Sequence, residues 1–163
     1  MQIFTGMKIA FWSVGKNHED YIAKGVEDFS SRIGKYFSLN WNIIPGPKNA
    51  ASMLPAILKK EEAKIILQQL DKDDFLILLD ERGKELSSPD LAELLQQKAN
   101  NSIKRIVFLI GGAYGADETI MQRANFKWSL SKLVFPHMLV RLILAEQVYR
   151  ACTIMRNEKY HHE

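Results

Sequence analysis

The sequence predicts an α/β fold, a mostly parallel sheet with helices on both faces. Two observations carry this. The segments Phe75–Leu79 (F-L-I-L-L) and Ile106–Ile110 (I-V-F-L-I) are apolar without alternation, as strands covered on both sides must be. Segments with helical spacing alternate with the strands along the chain.

Taken in order, Met7–Val14 is a short run of β-branched and aromatic residues and reads as a strand. Ile22, Val26, Phe29, Ile33 and Phe37 follow at spacings of three and four, so a helix is expected there. Leu39–Ile44 reads as a second strand, broken by Pro45-Gly46-Pro47. A long polar helix should run from a cap at Asn49 to about Leu70, with Pro55 near its first turn. After the buried strand Phe75–Leu79, Ser88-Pro89-Asp90 starts a helix. Ser88 can cap it, Pro89 suits its first position, and Leu91, Leu94 and Leu95 follow. Beyond Ile106–Ile110 come a short helix (Glu118–Ala124), a short strand (Lys127–Leu130) and a last helix (His137–Asn157). That last helix is apolar nearly all round, with Leu139, Leu142 and Ile143 on one side and Val140, Leu144 and Val148 on another. Two apolar faces on a terminal helix point to packing against a second copy; the alternative is burial within one protomer.

A chain of 163 residues suits a single domain. We place it at residues 7–163, because Met7-Lys8-Ile9-Ala10 looks like a natural strand start. Residues 1–6 then read as a non-native remnant or the product of an upstream start. The single cysteine, Cys152, cannot form an internal disulfide, which fits a reducing cytosol, and it reads as a small packing residue. No apolar run reaches the ~18 residues of a membrane span, and no signal-peptide pattern opens the chain. From Arg123 to Glu163, seven Lys/Arg face three Asp/Glu, a local charge of +4, while the remainder carries −1. A basic face there would attract phosphates; a merely solvated surface fits the charge equally well.

Ligands of open α/β sheets bind beyond the carboxyl ends of the strands. Here those ends are Leu79-Asp80-Glu81-Arg82-Gly83, Ile110-Gly111-Gly112-Ala113-Tyr114-Gly115 and the segment after Leu130. Gly111 and Gly112 permit close backbone approach, although a glycine pair alone is as well read as a plain turn. Dinucleotide and P-loop fingerprints are absent, as is any zinc-type Cys/His spacing. His161-His162 reads as a polar tail, and Ser129 and Ser131 lack a nucleophile-elbow context. His137 and Arg141 are four apart, on one helix face, at a helix N-terminus whose free N–H groups favour an anion. They could hold a phosphate or polarise a carbonyl; otherwise His137 caps the helix and Arg141 pairs with an acid.

Six segments then stand in a specific order: Met7-Lys8-Ile9, L-D-x-x-G-K (Leu79 to Lys84), I-G-G-x-x-G (Ile110 to Gly115), S-L-S-x-L-x-x-P-H-x-x-x-R (Ser129 to Arg141), A-E-Q-x-Y-R-A (Ala145 to Ala151) and the tail Tyr160-His161. With this set, the chain resembles the RlmH family, the ribosomal RNA large-subunit pseudouridine N3-methyltransferases of the SPOUT superfamily. The resemblance covers nearly the whole chain; His162-Glu163 is variable in such proteins and is assigned no role.

The resemblance implies a C-terminal trefoil (α/β) knot, an exception to unknotted connectivity. It implies a pocket for S-adenosylmethionine formed by Leu79, Gly111, Gly112, Leu130, Ser131, Lys132, Leu133, Val134 and Phe135. It also implies a cytoplasmic homodimer, free of metal and membrane, whose sites are completed across the interface and which acts on 23S rRNA within the assembled 70S ribosome. By the same resemblance, His137, Arg141, Tyr160 and His161 form the catalytic set. His137 would be base or carbonyl partner, Arg141 would hold a phosphate or developing charge, Tyr160 would stack on the base, and His161 would orient it from the partner's tail. Two other readings are an enzyme acting on another RNA such as tRNA, and a non-catalytic ribosome- or RNA-binding module.

Overall fold

The computed structural model describes residues 2–162; Met1 and Glu163, and the expectations that touch them, lie outside the described residues. The chain runs β1 (Lys8–Val14), α1 (Asp20–Ile33), β2 (Ser38–Ile44), a short 3-10 turn (Ala50–Ser52), α2 (Pro55–Gln69), β3 (Phe75–Glu85), α3 (Ser88–Asn100), β4 (Arg105–Ile110), α4 (Glu118–Arg123), β5 (Phe126–Ser129) and α5 (His137–Met155). The five strands form one sheet in the order β2-β1-β4-β3-β5, every pairing parallel. The expected α/β class is therefore what the chain adopts.

Strand side chains alternate between two cores, as the period of two demands. Ile9, Phe11, Ile77, Ile106, Phe108 and Ile110 face a core closed by Leu91 and Leu95 of α3, Leu144, Val148 and Cys152 of α5, and Ile33 of α1. Ala10, Trp12, Leu76, Leu78, Val107 and Leu109 face the other, closed by Ala63 and Ile66 of α2 and Ile120 of α4. Helix α5 packs between α1 and α3. It comes so close to α1 that a Cβ on Gly25 would lie 2.8 Å from Leu142. Burial within the protomer thus accounts for Leu144, Ala145, Val148, Ala151 and Cys152, while Leu139, Val140, Leu142 and Ile143 stay half-buried. Among the described residues, no helix is long and apolar enough to cross a membrane.

Several local expectations shift. Helix α3 is capped by Ser87, not Ser88: the Ser87 Oγ accepts from the Asp90 N–H, and the Asp90 carboxylate accepts from the Ser87 N–H. This reciprocal box satisfies two donors where Ser88 would satisfy one. Ser88 instead donates to Gln147 at 2.7 Å, tying α3 to α5. Asn49 precedes the 3-10 turn and caps nothing, so α2 starts at Pro55. Helix α1 ends at Ile33; Phe37 is buried from the turn that follows. Residues 3 and 4, set aside on sequence grounds, are nonetheless docked. Their N–H groups donate to the carbonyls of Lys35 and Tyr36, and Phe4 stacks on Phe37 at 4.7 Å.

Strand β3 extends six residues past the expected Leu79, with an interruption that matters for the site. Leu79 and Lys84 both pair with Trp128 of β5, so Asp80–Gly83 bulges out of the sheet. The glycine of L-D-x-x-G-K sits at the foot of this bulge, where a Cβ would lie 2.5 Å from the Lys127 carbonyl oxygen. Gly83→Ala should therefore cost about 1–3 kcal/mol through strain against a neighbouring backbone that cannot yield. Thermal denaturation checks this; a melting temperature within a degree of wild type would show that the close approach is not a constraint.

Candidate active site

The carboxyl ends of β3, β4 and β5 meet the N-terminus of α5 around a cavity of about 500 Å³, within the usual range for small-ligand sites. One wall is the β3 bulge. Arg82 clamps Asp80 with its guanidinium (3.0 and 2.9 Å) and its N–H (2.8 Å), which holds the Asp80 carboxyl below the usual carboxylate range. The second wall is the glycine turn after β4. The Gly115 N–H donates to the Gly112 carbonyl at 3.0 Å, and Gly115 takes φ +84°, a conformation open to glycine at little cost. Its underside rests on Glu62 of α2: a Cβ on Gly112 would lie 2.5 Å from Glu62 Oε2.

The third wall is the segment between β5 and α5. Ser129 Oγ donates to the Ser131 carbonyl and Ser131 Oγ accepts from the Leu133 N–H, so the hydroxyls shape the loop rather than face a reaction. Leu133 and Val134 are 69% and 79% exposed at the cavity mouth. Eight of the nine residues assigned to the cofactor line this cavity: Leu79, Gly111, Gly112, Leu130, Ser131, Leu133, Val134 and Phe135. Lys132 is exposed and does not. Trp128 also lines the cavity, and its Nε1 is buried without a hydrogen-bond partner among the described residues. Apolar side chains with open backbone groups suit a flat heteroaromatic ring recognised through its edge.

His137 lines the cavity from the first turn of α5. Burial and the nearby Arg141 both push its pKa below the ordinary 6.5, so the imidazole is neutral and able to accept a proton near pH 7. Arg141 stands one turn further, 1% exposed. Its Nε donates to Ser13 Oγ at 2.9 Å, and an Nη donates to the Lys16 carbonyl at 2.8 Å and to His18 Nδ1 at 3.2 Å. An arginine cannot accept, so His18 must be neutral with its proton on Nε2. Burial and Arg141 lower the His18 pKa as well. No carboxylate pairs with Arg141 among the described residues, and Glu19 assists only at a distance. A buried cation without a counter-ion is costly unless something else satisfies it, and it leaves attraction for an incoming anion.

Tyr160 and His161 lie elsewhere. Helix α5 ends at Met155, and Asn157 (φ 55°) reverses the chain in the left-handed conformation common at helix ends. The tail then packs on the last turns of α5. Tyr160 meets Tyr149 edge-on at 4.7 Å, Arg150 stacks on Tyr160, and His161 Nδ1 accepts from Arg150, itself paired with Glu146. Thirteen residues of helix separate Arg150 from His137, about 20 Å at the α-helical rise. Within one protomer the structure brings His137 and eight of the nine residues assigned to the cofactor to one cavity; Arg141 stands behind it against the β1–α1 loop, and the tail lies elsewhere.

Sequence reasoning misses Ser13, His18, Glu62 and Trp128. Each is an isolated polar group in an apolar or loop context, and its meaning depends on a partner more than 40 residues away. Only the lone Glu62 between Leu58 and Ile66, on the inner face of α2, carries a local signal: a carboxylate at a core position.

A family model described as a predicted SPOUT methyltransferase matches residues 7–161. Proteins named ribosomal RNA large subunit methyltransferase H are similar over 96% of this chain and the whole of their own length: that of Cytophaga hutchinsonii at 43% identity and that of Parabacteroides distasonis at 40%. Among solved structures, a probable methylase family protein from Haemophilus influenzae Rd KW20 superimposes with a TM-score of 0.56 at 11% identity, over 97% of this chain and 72% of that one. A probable methyltransferase from Bordetella pertussis Tohama I gives 0.56 at 11%, over 90% and 95%. At such identities the solved structures show the shared fold alone. The matched model and the relatives at 40% identity show more: this chain belongs to the SPOUT methyltransferase family, in the group of the ribosomal RNA large subunit methyltransferases H.

Proposed function

We propose that this protein transfers a methyl group from S-adenosylmethionine to N3 of a pseudouridine in large-subunit ribosomal RNA, within the assembled ribosome of the cytoplasm. Residues 7–163 act as one knotted methyltransferase domain, working as a homodimer. The observation that carries the reading is the placement of a neutral His137 on the rim of the cavity that also contains the cofactor segments. The names of the relatives supply the RNA substrate.

The cavity fits the cofactor. Leu130, Leu133, Val134 and Phe135 offer apolar contact to adenine, and the turns at Gly111 and Leu130–Phe135 offer backbone groups. S-adenosylmethionine supplies an electrophilic methyl on a sulfonium. The protein aligns the nitrogen with it. His137 takes the N3 proton, because a protonated imide nitrogen has no lone pair to offer. Arg141, with no counter-ion among the described residues, stabilises negative charge on a base oxygen or phosphate. Metal plays no part in this scheme. The tail enters from the second protomer: Tyr160 stacks on the base and His161 orients it. The ~20 Å between His137 and the tail within one chain is why a second copy is required.

Labelled S-adenosylmethionine offered to ribosomes lacking the modification tests this directly. Label should appear on a pseudouridine of assembled ribosomes and not on tRNA or free rRNA. Label on tRNA would discard the substrate, and binding to ribosomes without transfer would favour a binding module.

The shared site gives a second prediction. Arg141→Ala should lower turnover at least ~10-fold with cofactor affinity nearly intact. A chain lacking residues 160–163 should fold, bind cofactor and fail to methylate. Mixed heterodimers of the two should regain part of the activity, since one of the two sites then has both intact parts. No recovery on mixing would place the tail and Arg141 in the same protomer's site.

A further inference from the structure

Glu62 has no task in the mechanism above. The residue is 8% exposed on the inner face of α2, and burial raises its pKa. No hydrogen bond or ion pair compensates it among the described residues. It lies against Gly112, where the missing side chain lets both carboxylate oxygens approach the turn backbone. The other side of that turn is the wall of the proposed cofactor cavity. A small void beneath it, of about 10 Å³, is bounded by Glu62, Gly111, Gly112 and Gly115. Two charged groups line the same void. Lys59, on the same helix, reaches both cavities without pairing with Glu62, and Asp117 is occupied by Thr119.

A lone buried carboxylate behind a thin wall of glycine backbone acts across that wall. S-adenosylmethionine carries a sulfonium, an ammonium and a carboxylate, a net charge of +1. When the methyl leaves, the electron pair of the broken S–C bond stays on sulfur, and the thioether product is neutral overall. We infer that Glu62 is a specificity-determining residue whose negative charge makes the cavity prefer the sulfonium cofactor to its demethylated thioether, and so favours release of the product. Low-dielectric surroundings strengthen such a field, and the absence of side chains on Gly111 and Gly112 keeps the charges close. The inference rests on the cofactor reading proposed above.

Calorimetric titration of the apo-protein with three ligands tests it: S-adenosylmethionine, S-adenosylhomocysteine, and the amine analogue with an ammonium group in place of the methylsulfonium. Wild-type protein should bind both cationic ligands more tightly than the neutral thioether. Glu62→Gln, close in shape and uncharged, should weaken the cationic ligands by about tenfold and leave the thioether almost unchanged. Glu62→Asp should keep part of the preference. An equal loss for all three ligands in Glu62→Gln would reduce Glu62 to a prop for the turn and overturn the inference. So would a wild-type preference for the thioether, which needs no variant to observe. Failure of wild-type protein to bind any of the three would instead overturn the cofactor reading itself.

Discussion

The buried guanidinium of Arg141 sets the geometry and electrostatics of this site. It lies where a charge is expensive and has no carboxylate to neutralise it among the described residues. Ser13, the Lys16 carbonyl and His18 take its donors, so the first turns of α5 are bolted to the loop that leaves β1. That anchor fixes where His137, one turn earlier, meets the cavity. Burial, and after it the same charge, depresses the pKa of both histidines beside it. One interaction thus fixes the position of His137, holds a buried cation and orients the helix that carries both.

Around this anchor the fold divides its labour by face. One side of the sheet, with α1, α3 and α5, carries His137, Arg141 and the half-buried apolar surface of α5. The other, with α2 and α4, presents support from beneath, and its buried Glu62 carboxylate reaches the underside of the glycine turn. Between them, parallel strands deliver three loops to one edge, and each loop is shaped by a local device: a bulge clamped by Arg82, a turn closed at Gly115, a loop stapled by Ser129 and Ser131. These devices leave open backbone groups at the cavity beside an Asp80 already neutralised by Arg82.

Much of this is legible in the amino-acid sequence. The strands Phe75–Leu79 and Ile106–Ile110 announce themselves because burial on both faces erases alternation. The convergence of three loops can be read because parallel strands deliver their carboxyl-end loops to one edge; the residues expected to hold a cofactor come from the resemblance. Of the nine residues the resemblance implies for the cofactor, Lys132 does not line the cavity, because a contiguous motif does not tell which member of a loop turns outward. The bulge at Asp80–Gly83 leaves no local signature, because the pairing partner that forces it lies over 40 residues away. Ser88 looks as good a cap as Ser87, because the choice between adjacent serines depends on which can form the reciprocal bond with Asp90. The network of Arg141 with Ser13 and His18 is equally out of reach, since separations of 128 and 123 residues leave no trace in local pattern. The separation of the tail from His137, by contrast, follows from helix length alone.

On the proposed reading, a single cavity at the strand carboxyl ends holds the cofactor against His137. Amide hydrogen exchange with and without S-adenosylmethionine tests this most directly. Protection should rise at the amides of Gly111–Ala116 and Leu130–Phe135 and in the first turn of α5, with little change along α3 or at the β1–α1 loop. Protection confined to other segments, with these three unchanged, would contradict the assignment of the site.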